Sequence, residues 1–192
     1  MKRLILASTS PYRRTLLARL GLPFATAAPA VDETPGHGEL PEALAARLAR
    51  RKAQSQTAPG AIVIGSDQTA SLEGALLGKP GSRAAALAQL LACQGRTVVF
   101  HTAVAVFDVD ADRLREHVDR TEVSFARRSR AALERYLEQE PAFDCAGGFK
   151  VEGLGIALFE AVESRDPTAL VGLPLIWLAR ALGECGLDPL GP

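Results

Sequence analysis

A chain of 192 residues with 47% apolar content can bury one substantial core, and its length fits one domain or two tightly joined lobes. Lysine plus arginine and aspartate plus glutamate both number 22, so no global field draws the chain to nucleic acid, an anionic membrane or a polycationic partner, and any anion site must be local. Cys93, Cys145 and Cys185 are odd in number and widely spaced, which fits neither a disulfide framework nor a Cys-x-x-Cys metal site and points to a reducing compartment.

Leu4-Ile5-Leu6-Ala7 predicts a short strand, Ser8-Thr9-Ser10-Pro11 a loop, and Leu16, Leu17 and Leu20 a helix stopped by Gly21. Ser10 caps that helix, and Pro11 takes its first position, where a missing N–H costs nothing. This N-terminal run briefly imitates a signal peptide, but its apolar stretch stops at Ser8 and Arg13-Arg14 follow, so export is not expected. No apolar stretch approaches the roughly 20 residues of a membrane helix, and the chain is read as soluble and cytoplasmic. An extended piece near Phe24 to Ala28 leads into the turn-rich Val31-Asp32-Glu33-Thr34-Pro35-Gly36, followed by a helix from Leu44 to Gln54.

Ala61-Ile62-Val63-Ile64-Gly65 has the continuous apolar character of a strand buried on both faces, expected to end at Ser66-Asp67-Gln68. Glu73-Gly74 predicts a hairpin turn, Gly78-Lys79-Pro80-Gly81 a loop, and Ser82 the cap of an alanine-rich helix ending at Gly95. Thr97 to Phe107 and Val118 to Phe125 alternate like half-buried antiparallel strands. Ser129 caps a helix through Leu133, Tyr136 and Leu137; Ile156 to Phe159 predicts a short strand, and Pro174 to Leu182, with Trp177, an amphipathic helix. This mixture predicts a mixed α/β sheet bent around a cleft.

Three features carry candidate chemistry. Ser8 to Arg14 places hydroxyls, free backbone N–H groups and Arg13 at a helix N-terminus, which suits a phosphate, although an ordinary capped helix with solvated arginines explains the same letters. Glu33 and Asp67 are carboxylates able to hold a divalent ion against a triphosphate and to take a proton from water. Glu33 taken alone reads better as a solvated loop acid, whereas an acid directly after a buried strand needs a partner. His37, His101 and His117 lack paired spacing, which favours Mg²⁺ or Mn²⁺ over zinc. Only four lysines stand against eighteen arginines, and Lys52, Lys79 and Lys150 lie near these segments, by chance or as compact charges for phosphate. Cys145 to Gly153 joins a glycine pair to a strand-like piece bearing Glu152, either a pocket wall or a structural turn. Gly172-Leu173-Pro174-Leu175 reads as a loop entering the last helix.

Taken in order, Leu6-Ala7-Ser8-Thr9-Ser10-Pro11, Arg13-Arg14, Val31-Asp32-Glu33, Lys52-Ala53, Gly65-Ser66-Asp67, Gly78-Lys79-Pro80, Cys145-Ala146-Gly147 and Val171-Gly172-Leu173-Pro174-Leu175 resemble the Maf-like nucleotide pyrophosphatases across nearly the whole chain. The resemblance implies a single domain over residues 1–192 with a Maf/ITPase-like α/β fold, its mixed sheet bent around a central cleft between two lobes. It implies hydrolysis between the α- and β-phosphates of a nucleoside triphosphate, with Mg or Mn as cofactor. Asp67 matches the family's proton acceptor, with metal ligation as its alternative role; Glu33 becomes a metal ligand, and Ser8, Arg13, Lys52 and Lys79 become phosphate contacts. The implied partner is a small nucleoside triphosphate, not nucleic acid or membrane, and the resemblance leaves a homodimer open.

Tyr12, Gln68 and Glu152 depart from the commoner family pattern of arginine, threonine and glutamine. They resemble the subfamily acting on 7-methyl-GTP, although that subfamily often carries tryptophan where Tyr12 stands. N7 methylation makes guanine cationic, so an aromatic face gains cation–π attraction of roughly 0.5–2 kcal/mol, and a carboxylate suits the charged base or its N1 and N2 donors. The expected function is removal of 7-methyl-GTP, as 7-methyl-GMP and diphosphate, before nucleic acids incorporate it. The alternatives are dTTP, UTP or broader nucleotide hydrolysis, or a non-catalytic nucleotide-binding regulator of septum formation and cell division.

Overall fold

A computed structural model describes residues 2–143 and 145–191. In chain order they form β1 (Arg3–Ala7), α1 (Pro11–Ala18), β2 (Phe24–Ala27), α2 (Pro41–Gln54), β3 (Ala61–Leu72), β4 (Ala75–Leu77), α3 (Arg83–Cys93), β5 (Thr97–Asp108), β6 (Arg113–Phe125), α4 (Arg130–Gln139), β7 (Phe159–Glu163) and α5 (Leu175–Glu184). Short 3-10 turns cover Ala146–Gly148, Leu154–Leu158 and Ala169–Val171. Seven strands make one mixed sheet in the order β2-β1-β3-β5-β6-β7, with β4 paired to β3 off that path. β1 is parallel to β2 and β3, whereas β3–β4 and β6–β7 are antiparallel. The mixed α/β class read from the sequence is the observed one.

The chain gathers into two compact units, one made of residues up to Gln68, Thr102–Asp119 and the chain from Asp166 on, the other of Thr69–His101 and Arg120–Arg165. Among the described residues, no helix is long and apolar enough to cross a membrane.

In the first unit, successive strand residues feed two apolar clusters. Leu4, Leu6, Ile62 and Ile64 pack with Leu16 and Leu17 of α1 and Leu178 and Leu182 of α5. Ala7, Ala61 and Val63 point the other way, onto Ala45, Ala49 and Ala53 of α2. This two-sided burial is why the run from Ala61 to Ile64 is apolar without alternation. The alanine face brings α2 so close to β3 that a Cβ on Gly65 would overlap the Ala49 carbonyl oxygen and the Ala53 nitrogen.

β3 does not end at Ser66; it runs five residues beyond Asp67. The polar run leaves it intact because its side chains find partners: Ser66 Oγ donates to the Gly172 carbonyl at 2.9 Å, Asp67 accepts from Lys52, and Gln68 donates to Thr102. β6 likewise starts before the expected Val118, since Leu114 packs on the α2 cluster as Val118 does.

In the second unit, Glu73 and Gly74 both take positive φ, 51° and 83°, as the β3–β4 hairpin turn requires. Ser82 and Ser129 cap α3 and α4 as expected, accepting from Ala85 and Ala132 backbone N–H groups. The rings of Phe100, Phe125, Phe149 and Phe159 meet edge to face at 4.8 to 5.6 Å. The expected strand at Ile156 is instead the Leu154–Leu158 turn, with β7 beginning at Phe159. Glu152 therefore stands in a turn and not on a strand-like piece.

Candidate functional site

The first unit draws distant charges together. Lys52, near the end of α2 and only 5% exposed, places its ammonium 2.7 Å from Asp67 Oδ1 and 2.6 Å from Glu33 Oε1. Two of its three N–H donors are thereby directed at carboxylates. The loop carrying Glu33 is clasped to the same helix: Arg47 holds Glu39 through two contacts of 2.6 and 2.7 Å and donates to the Thr34 carbonyl, while Glu39 also accepts from the Gly36 N–H. These contacts hold Glu39 down to about 2, the Arg47 hydrogen bond being the largest cause. So the exposed acid read from sequence as solvated or functional has a buried cation as its partner.

At the N-terminus of α1, Ser10 accepts from the Arg13 N–H, and buried Ser8 accepts from the Ser10 N–H at 3.1 Å. Tyr12 is half-buried at the second helical position. The Arg13 side chain donates through Nε to the Gly172 carbonyl at 3.0 Å. Burial pushes the Arg13 guanidinium down from its ordinary value, and the Asp67 and Glu33 charges oppose that shift. Arg13 thus feels the charges of the two carboxylates that Lys52 binds.

Gly172 belongs to a built turn that its letters alone did not reveal. Its carbonyl accepts from Ser66 as well as Arg13. Gln68 Nε2 reaches Thr102 Oγ1 at 2.8 Å and the Leu170 and Ala169 carbonyls at 3.0 and 3.1 Å, and Thr102 also donates to Ala169. Buried Asp166 accepts from the Thr168 N–H and hydroxyl and from the Ile176 N–H, and Thr168 binds Leu173 and Leu175. The available signal was Asp166-Pro167-Thr168, an acid and a hydroxyl spaced to bond the backbone just after them.

Lys79 and Glu152 are carried by the second unit. Lys79 is exposed in the β4–α3 loop, which Gln89 ties by donating to the Gly78 carbonyl. Glu152 is exposed on its turn.

Among the described residues, no three His, Cys, Asp or Glu side chains cluster as a complete metal cage. Glu33 and Asp67 each turn one oxygen to the Lys52 ammonium, and carboxylates gathered in this way are the hard donors that suit a divalent ion taking its other ligands from water and phosphate.

Hydroxyls and an arginine at the first helix, beside two acids meeting a buried lysine on a mixed α/β sheet, are the chemistry that suits a phosphate-bearing ligand. The chain belongs to the Maf-like protein family, whose model matches residues 3–185. It is 60% identical over 188 residues to a 7-methyl-GTP pyrophosphatase of Xanthomonas oryzae pv. oryzae, covering 97% of this chain and 98% of that one. Proteins of the same name from Albidiferax ferrireducens and Vibrio vulnificus are 50% and 48% identical, over 99% and 98% of this chain and 96% and 98% of theirs.

Proposed function

We propose that this chain hydrolyses 7-methyl-GTP to 7-methyl-GMP and diphosphate in the cytoplasm, keeping the modified nucleotide out of nucleic acids. The observation that carries the reading is the Glu33–Lys52–Asp67 convergence, supported by the names of relatives matching nearly end to end. Water breaks the α–β anhydride, and Asp67 accepts its proton. An ordinary aspartate is a weak base at neutral pH, and a bound Mg²⁺ or Mn²⁺ would acidify the water and shield the phosphate charge. Glu33 and Asp67 are the residues to hold that ion. Lys52 keeps its third donor for a phosphate oxygen, Ser8 and Arg13 contribute a hydroxyl and a cation, and Lys79 is assigned to phosphate on charge alone. Tyr12 offers an aromatic face to the cationic base and Glu152 a countercharge. Gln68 acts through the Ala169–Val171 turn, because its amide nitrogen is directed there.

The test measures diphosphate release from a panel of nucleotides with added Mg²⁺ or Mn²⁺, for the wild type and Asp67→Asn. The expected result is preference for 7-methyl-GTP, dependence on metal and loss in the variant. A clear preference for unmethylated dTTP or UTP overturns the substrate assignment, and equal activity in the variant rejects Asp67 as the base.

A further inference from the structure

The turn that carries Glu152 is fastened from both sides to Tyr136 of α4 and to Glu140, which caps that helix. Glu140, the residue that closes α4, accepts from the Leu154 N–H through Oε1 at 3.2 Å and from the Gly155 N–H through Oε2 at 3.0 Å. Its Oε2 also accepts from the Tyr136 hydroxyl at 3.1 Å, and that hydroxyl in turn accepts a backbone hydrogen bond from Lys150. The carboxylate and phenol therefore hold the chain two residues before Glu152 and two to three residues after it. Glycines make this closure possible: a Cβ on Gly153 would overlap Glu140 Oε1, and one on Gly155 would overlap the Lys150 carbonyl. Phe149 is buried in the phenylalanine cluster, so the entry to the turn is anchored as well. Among the described residues, none holds the exposed Glu152 side chain in a comparable way, and it depends on its backbone for direction. Tyr136 is buried, and burial followed by the Glu140 charge pushes its hydroxyl up, so the phenol remains a donor.

We infer that Glu140, backed by Tyr136, is the positioning residue that aims Glu152 at the cationic base. The inference rests on the assignment of Glu152 to base recognition proposed above. Its readout is the ratio of kcat/KM for 7-methyl-GTP to that for GTP, because simple loss of folded protein lowers both terms alike. Glu140→Ala should lower the ratio about tenfold, the order of effect seen when an orienting partner of a functional side chain is removed. Glu140→Gln keeps the shape but turns an amide N–H toward a backbone N–H, so it should lower the ratio in the same direction and serves where the alanine variant does not fold. In Glu152→Ala, which should itself lose the preference, adding Glu140→Ala should lower the ratio no further. If Glu152→Ala loses the preference while both Glu140 variants keep it, the positioning role is overturned and the substrate reading stands. If Glu152→Ala keeps the preference, base recognition by Glu152 fails and this inference fails with it. An equal loss on both substrates in the Glu140 variants also overturns it.

Discussion

Replacing Lys52 by methionine would leave the volume of the side chain nearly intact and remove the cation between Glu33 and Asp67. The Glu33 side chain is 57% exposed, so water replaces its lost partner and that arm contributes little. The Asp67 side chain is 12% exposed, and removing one partner of a buried ion pair costs about 3 kcal/mol or more because the other charge stays buried. For a chain of this length each kcal/mol moves Tm by about 2–4 °C, so Lys52→Met should melt about 6–12 °C below the wild type. Scanning calorimetry or circular dichroism melts would read this directly. Lys52→Met with Asp67→Asn should recover part of the loss, since asparagine needs no counterion. A single variant melting within about 2 °C of the wild type, or a double variant no more stable than the single, would refute the reasoning that the buried charge sets the cost.

Gly65→Ala should be more damaging than its one methyl group suggests, because the overlapping atoms are backbone and α2 must shift; solubility and Tm fall, and any folded fraction loses diphosphate release as Lys52 moves from Asp67. Glu39 is held at about 2, below its ordinary 4.5, so it favours the folded state above pH 4.5 and that contribution disappears as pH falls through 2. Urea unfolding at pH 5 and pH 3 should therefore show a steeper loss in the wild type than in Glu39→Gln, and identical losses would remove Glu39 from the account. Tyr12→Arg with Glu152→Gln should reduce discrimination for 7-methyl-GTP over GTP by about tenfold, from the loss of a cation–π contact and a countercharge; an unchanged kcat/KM ratio would exclude both residues from base recognition.

What could be read from the sequence was local. Ser10, Ser82 and Ser129 announced their helices because a cap is a bond to a backbone group three residues away, and Glu73-Gly74 announced its turn because the turn itself demands positive φ. The apolar run from Ala61 to Ile64 showed two-sided burial in its composition alone. The missed features depend on partners the chain meets far along its length. β3 continues through Ser66, Asp67 and Gln68 only because Gly172, Lys52 and Thr102 satisfy them, and no periodicity encodes that. Glu33 and Asp67 were legible as acids, yet their convergence on one ammonium required α2 to lie against Gly65. Gly172 looked like a loop residue because its contribution is a carbonyl, which every residue type possesses. The strand expected at Ile156 failed for a related reason, since Glu140 draws the Leu154 and Gly155 N–H groups into a tight turn.

The Arg13–Gly172 contact spans 159 residues. During synthesis, a nascent chain can therefore present Ser8, Arg13, Glu33, Lys52 and Asp67 long before the carbonyl that aims the arginine exists. The N-terminal charges must wait for the chain around residue 172 before Arg13 can make this bond, whose loop must be closed against its entropy. The site's first helix is thus oriented by a carbonyl that the chain supplies 159 residues later.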